Sequence, residues 1–227
     1  MVLTQLYNSQ ERLAHSNLCF DKGVAELGGA DNVASLSFAT EKRAEVEGGA
    51  NLYGRVREGV CVVPVGYVLN QNPLRVLVPL GFPLQNPETA TQVNRDIKWY
   101  TLGEGNVQEV LRAIKAGLIL DEAHVKKNIL ELSLEGLEEM PEGIFLFGGQ
   151  GTDEQRKARA KKAGQYFLER FKETGKSNKS VKLYLPALNV AQDGCVVATQ
   201  LWSGGVVNDF CLYGGNLSSD DGVFGVS

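Results

Sequence analysis

A chain of 227 residues that is 43% hydrophobic and 22% charged is long enough to bury a sizeable core and too apolar to remain disordered. No window approaches the roughly 18 consecutive apolar residues of a membrane span, and the start carries no basic leader before an apolar run, so the expectation is a soluble, cytoplasmic protein without a membrane partner. The formal net charge is −4, yet ten Lys and Arg residues against two acids fall between Arg156 and Lys182, a net +8 that leaves −12 on the other 200 residues.

Twenty-six glycines, many in pairs such as Gly148-Gly149 and Gly204-Gly205, point to tight turns in a β-rich fold. Along the chain, Leu3, Leu6, Tyr7 and Leu13 fit one face of a short helix, whereas Val33 to Phe38 alternates like a strand. Val60 to Leu69 and Leu74 to Leu80, separated by Asn70-Gln71-Asn72-Pro73, read as a hairpin. Pro64 and Pro79 cannot donate to a ladder and place these strands at an edge or a bulge. Ile97 to Leu102 reads as a further strand.

The period then changes. Asn106 is positioned to cap a helix carrying Val107, Val110, Leu111 and Ile114 on one face, with Gly117 as its stop. Leu118 to Leu120 makes a short buried link, and Asp121 is positioned to cap another helix that turns Val125, Ile129 and Leu130 inward. Ile144 to Phe147 reads as a buried strand. A helix from about Asp153 to Glu173 follows, with Ala160, Ala163, Gly164, Phe167, Leu168 and Phe171 in one arc and the cations and Tyr166 around the rest. Val181 to Leu188, Cys195 to Trp202, Val206 to Tyr213 and Val223 to Val226 are strand candidates, with turns at Asp193-Gly194, Gly204-Gly205 and Asp221-Gly222. The layout predicts a single α+β domain spanning 1–227, with a mainly antiparallel sheet built from N- and C-terminal strands and a helical middle section, about 106–174, packed on it.

Two features carry functional weight. Gly148, Gly149, Gly151 and Thr152 precede a helix start, the arrangement that aims backbone N–H groups and a helix dipole at an anion. The P-loop and dinucleotide spacings are both absent, however, and Asp153 and Glu154 would repel a phosphate. Thr152 with Gln155 three residues on is instead a capping box. The second feature is the run of cations, Arg156, Lys157, Arg159, Lys161, Lys162, Lys172, Lys176, Lys179 and Lys182, which reads either as a solvated face or as a stripe for a phosphodiester backbone or an acidic protein.

Chemistry is otherwise sparse. His15 and His124 have no nucleophile motif beside them, and Leu201 to Gly205 is not a GxSxG elbow. Cys19, Cys61, Cys195 and Cys211 show no CxxC pair and read as buried thiols, with no metal site of zinc type. Asp209, Asp220 and Asp221 have the composition of turns. The aromatics on or beside predicted strands, Tyr53, Tyr67, Phe82, Trp99, Tyr100, Trp202, Phe210 and Tyr213, are core residues by default and stacking platforms only if exposed. No cofactor and no catalytic residue is indicated. The expectation is a non-enzymatic subunit of a larger protein or nucleoprotein assembly, docking nucleic acid or an acidic subunit through its basic helix and the following loop. The alternatives are an enzyme holding a phosphorylated ligand at 148–152 and a virion or shell component without nucleic-acid contact.

Overall fold

The computed structural model describes residues 3–6, 27–28, 32–45, 54–66, 70–79, 100–102, 107–194, 196–204, 210–213 and 223–226. Its frame is a sheet. Strand β1 (Leu3–Leu6) pairs with β11 (Val223–Val226), which lies beside β2 (Gly54–Val63), and the order continues through β9 (Val196–Ser203), β10 (Cys211–Tyr213), β8 (Ser180–Tyr184), β7 (Ile129–Ser133) and β6 (Val125–Lys126). Off this path, β3 (Leu74–Val78) pairs with β2 and with β5 (Leu118–Ile119), and β4 (Tyr100–Leu102) pairs with β9. The β10–β8 and β11–β2 pairs are parallel and the others antiparallel, so the chain is α+β with a mainly antiparallel sheet.

The apolar runs of β2 and β3 follow from burial on both faces. Val56 and Val60 of β2 and Leu77 of β3 belong to one core cluster, beneath α1 (Leu36–Glu45), α3 (Pro141–Phe147) and α4 (Asp153–Glu173). Cys61, Val63, Val76 and Val78 point the other way, into a second cluster with Ala113 and Ile114 of α2 (Val107–Ala116). Successive side chains on a strand face opposite ways, so a strand covered on both sides needs apolar residues at every position. By contrast, β7 and β8 are covered on one face only. Leu130, Leu132, Val181 and Leu183 are buried while Glu131, Ser133 and Lys182 are exposed.

The predicted hairpin and two predicted helices are found, the hairpin with other bounds. The two strands do pair, with Gly59 opposite Val78 and Val63 opposite Leu74, but the first runs Gly54–Val63 where Val60 to Leu69 was expected, so the connection is longer than 70–73 and Pro64 and Pro79 fall just beyond the strand ends, where they interrupt no ladder. The helix α2 and the long helix α4 begin and end where their patterns place them. The bulge in β2 is not at a proline: the β2–β9 register shifts between Arg55 and Gly59. It turns Val56 and Glu58 inward, and it lets Arg57 donate from its backbone N–H to Ala34 O at 2.9 Å and from Nε to Val33 O at 2.9 Å. Glu58 accepts a 2.8 Å hydrogen bond from the Leu36 N–H, the first turn of α1.

That bond helps explain the first correction. Val33 to Phe38 is not a strand: Ser35 Oγ accepts from the Phe38 N–H at 3.2 Å, Glu58 takes the Leu36 N–H, and the chain enters α1. Second, Asp121 accepts from the Ala123 N–H but caps only a single 3-10 turn, Glu122–His124. Lys127 and Asn128 then both take positive φ, 51° and 60°, which closes a two-residue hairpin between β6 and β7 where a helix was expected. Third, Ile144 to Phe147 lies in α3, with Pro141 at its first positions, where a missing N–H costs nothing. Fourth, Leu3 and Leu6 lie on a strand, and Tyr7 and Leu13 fall outside the described residues. Asp193-Gly194 closes a 3-10 segment, Leu188–Gly194, where a simple turn was predicted.

A buried arginine ties the layers together. Arg75 on β3 is 2% exposed, donates Nε to Pro186 O at 2.7 Å, and pairs with Glu122 and with Asn128 Oδ1. One side chain thus joins β3, the 3-10 turn, the β6–β7 hairpin and the segment after β8. Among the described residues, no helix is long and apolar enough to cross a membrane.

Candidate functional site

The basic segment is centred on α4, a 21-residue helix. Its start is capped as the sequence predicts: Thr152 Oγ1 accepts from the Gln155 N–H at 3.3 Å, and Gln155 Oε1 accepts from the Thr152 N–H at 3.0 Å. Ala160, Ala163, Gly164, Phe167 and Phe171 dock it on the sheet. Phe167 stacks on Phe210 with centroids 4.2 Å apart and meets Phe147 edge-on at 5.8 Å. Leu168 is half-buried. Gly164 allows the close approach, because a Cβ there would lie 2.5 Å from Leu134 O.

The glycine loop is held from inside the protein. Gly149 and Gly151 adopt positive φ, 62° and 129°, conformations that L side chains rarely take. Arg159 reaches back from α4, donating Nε to Gly148 O at 2.6 Å and Nη2 to Gln150 O. Gly148 N–H is taken by Ile144 O and Thr152 N–H by Gln155. So two of the predicted loop donors are already engaged, and the cation nearest the loop serves its carbonyls.

The predicted cations do not form one stripe. Lys157, Lys161 and Lys172 lie along one flank of α4, and Lys161 Nζ is 3.7 Å from Glu138. Arg159 and Lys162 lie on the opposite flank, facing α1. Arg156 sits towards the core edge, 3.7 Å from Asp153. Beyond the helix, Lys176 is half-buried and Lys179 Nζ lies 3.4 Å from Glu135. Lys182 projects from the sheet face opposite α4, directly across the β7–β8 ladder from Glu131. The acids of residues 131–138 therefore run alongside much of the basic segment. Exposed pairs of this kind are worth about 0–1 kcal/mol each and exchange readily for other partners.

Tyr166 is the residue that helical spacing misplaces. Helical spacing groups it with the surface charges, but it is only 9% exposed, with the Arg170 guanidinium 5.6 Å from its ring centre. It borders a cleft of about 200 Å³ between α1 and α4 that also receives Arg159 and Lys162. No sequence signal marks the cleft, because the alternation over Val33 to Phe38 predicts a strand where α1 begins.

The remaining candidates contribute little chemistry. His124 is exposed and 3.8 Å from Asp121 Oδ2, and Phe210 is buried in the core rather than available for stacking. Cys61 is a buried thiol, pushed up to about 12 by burial, which keeps it unreactive. Among the described residues no three His, Cys, Asp or Glu side chains gather to hold a metal. His15, Cys19, Cys195, Tyr53, Tyr67, Phe82, Trp99, Asp209, Asp220 and Asp221 fall outside the described residues.

A sheet with parallel and antiparallel pairs, helices on both faces and N- and C-terminal strands joined as β1–β11 defines an α+β protein. The chain is similar in fold to a solved structure described as "Accommodation of massive sequence variation in Nanoarchaeota by the C-type lectin fold". The match has a TM-score of 0.60 and 15% sequence identity, and it covers 98% of this chain and 94% of that one. No protein-family model and no curated protein matches the sequence.

Proposed function

We propose that the chain is a non-enzymatic, cytoplasmic binding subunit that docks an acidic protein surface, from another subunit or a second copy, against the outer flank of α4. The observation that carries this reading is the line of exposed cations Lys157, Lys161 and Lys172 along a helix whose opposite side is fixed in the core. A rigid helix presents these charges without much loss of conformational freedom on binding. Acidic protein is favoured over nucleic acid because Glu135, Glu138, Glu169 and Glu173 stand among the cations, a mixed pattern that suits a complementary protein face better than a uniform phosphate backbone. The internal engagement of the 148–152 loop favours a binding role over phosphoryl chemistry. The nanoarchaeal structure is described as accommodating massive sequence variation by its fold. A frame of that kind suits recognition at the surface more than a fixed catalytic constellation, and it is carried to this chain as part of the proposal.

Light scattering of the purified protein at low and high salt, alone and with poly-L-glutamate, single-stranded RNA or duplex DNA, tests the reading. The expected result is salt-sensitive association with itself or with poly-L-glutamate, lost when Lys157, Lys161 and Lys172 are all changed to Glu. A monomer that engages no polyanion at low salt refutes docking. Preferential binding of RNA or DNA over poly-L-glutamate overturns the choice of an acidic protein.

A further inference from the structure

The outer flank of α4 has an acidic neighbour in its own chain. Gly164 lets the helix close onto the connection between β7 and α3, residues 134–140, where a Cβ at position 164 would lie 2.5 Å from Leu134 O and 3.6 Å from Leu137 Cβ. That connection carries Glu135, Glu138 and Glu139. Lys157, Lys161 and Lys172 fall within one arc of α4 beside it, at about 100° per residue, and Lys161 Nζ lies 3.7 Å from Glu138 Oε1. Glu169 and Glu173 lie farther round the helix, away from the connection. One face of the molecule therefore presents cations and acids side by side, with half-buried Leu168 between Lys161 and Lys172 on the same arc.

Such a face is complementary to itself. When two copies meet across a two-fold axis that lies in the contact plane along the boundary between helix and connection, the cations of each copy fall opposite the acids of the other. An axis in the same plane but perpendicular to that boundary would set cations against cations, so the charges select one orientation, with the two α4 helices parallel. Within one chain the charges are incompletely used. Among the described residues Lys157, Lys172 and Glu139 form no salt bridge, and the Lys161–Glu138 and Lys179–Glu135 contacts, at 3.7 and 3.4 Å, are exposed pairs that cost little to exchange or share. An unrelated acidic protein would meet Glu135, Glu138 and Glu139 as well as the lysines and be repelled by them, whereas a second copy brings both signs to the required places.

We infer that the partner docked by the outer flank of α4 is a second copy of the chain, joined as a two-fold symmetric dimer in which Lys157, Lys161 and Lys172 of each protomer face Glu135, Glu138 and Glu139 of the other. The inference rests on the docking reading above and names its partner. A symmetric contact of this kind closes on itself, so assembly stops at two copies.

Sedimentation velocity of the full chain from about 10 µM to about 500 µM, at about 50 mM and about 500 mM salt, tests the pairing. A monomer–dimer equilibrium is expected, with the dimer weakened at least ~10-fold by the added salt. Two triple variants, one with Lys157→Glu, Lys161→Glu and Lys172→Glu and the other with Glu135→Lys, Glu138→Lys and Glu139→Lys, should each be monomeric alone, with unchanged circular dichroism. An equimolar mixture of the two should form the dimer again, because each then carries one sign on the whole face. Changing Lys115, Lys126 and Lys127, exposed elsewhere on the surface, to Glu should leave the dimer intact. A wild type that stays monomeric throughout overturns the inference; if that same protein binds poly-L-glutamate, docking at the flank stands and only the second copy falls. Species larger than a dimer that grow with concentration, a mixture of the folded triple variants that stays monomeric, or equal loss of the dimer in the Lys115, Lys126 and Lys127 control overturns the symmetric pairing.

Discussion

Replacing Glu58 by Gln gives a direct test of how the bulge in β2 holds α1. The carboxyl is 6% exposed and accepts from Leu36 N–H at 2.8 Å, and burial pushes its pKa from an ordinary 4.5 to about 7, opposed by the hydrogen bonds of the Leu36 and Glu58 backbones and by Arg57. Because the folded protein holds this proton more tightly than the unfolded chain, Glu58 contributes its full stability below the unfolded value, loses it between about pH 4.5 and about pH 7, and is a constant burden above that window. The gap corresponds to about 3 kcal/mol at 1.36 kcal/mol per tenfold change in proton affinity. Glutamine keeps the acceptor for Leu36 and removes the titration. Urea unfolding of both proteins at intervals from about pH 4 to about pH 9 should show the variant gaining on the wild type by about 3 kcal/mol across the window, with the change centred between the two pKa values. Comparing the two proteins cancels the titration of every other group. A difference that stays flat with pH, or that favours the wild type increasingly as pH rises, refutes the account.

Two further substitutions probe the frame. Arg75→Leu removes the guanidinium that serves Pro186 O, Glu122 and Asn128, leaving a half-buried carboxylate and a buried carbonyl without their donor, and should cost about 3–5 kcal/mol in chemical unfolding; a loss within experimental error means that the clamp is replaceable by water. Gly164→Ala, normally favourable within a helix, should lower the melting temperature, because its Cβ would lie 2.5 Å from Leu134 O and the helix must lift by a fraction of its packing, at about 1–3 kcal/mol. A rise in melting temperature would show that α4 has slack at this contact.

Legibility followed the range of the interactions involved. The capping box of Thr152 and Gln155, the extent of α4 and its docking arc lie within three or four residues of one another, and all are read correctly from the string. The β2–β3 hairpin is likewise local. The segment at Val33 to Phe38 is not, because its N–H at Leu36 is satisfied by Glu58, 22 residues later, and the alternation of apolar residues is then overridden by a distant acceptor. The β6–β7 turn escaped for a different reason: Lys127 and Asn128 carry none of the glycine that usually announces two consecutive positive φ angles.

The candidate sites divide the same way. Sequence by itself determined that the chain is α+β, that a long capped helix carries much of its positive charge, and that this helix buries an arc of alanines, glycine and phenylalanines, since composition and near-neighbour geometry suffice for each. Only the tertiary structure decided how the cations are shared out. Glu135 and Glu138 come alongside Lys179 and Lys161 from 44 and 23 residues away, β8 carries Lys182 to the far side of the sheet, and α1 closes over Tyr166 to make a cleft. Charge adds along a sequence, but its field depends on distance in space, and those distances are set by packing.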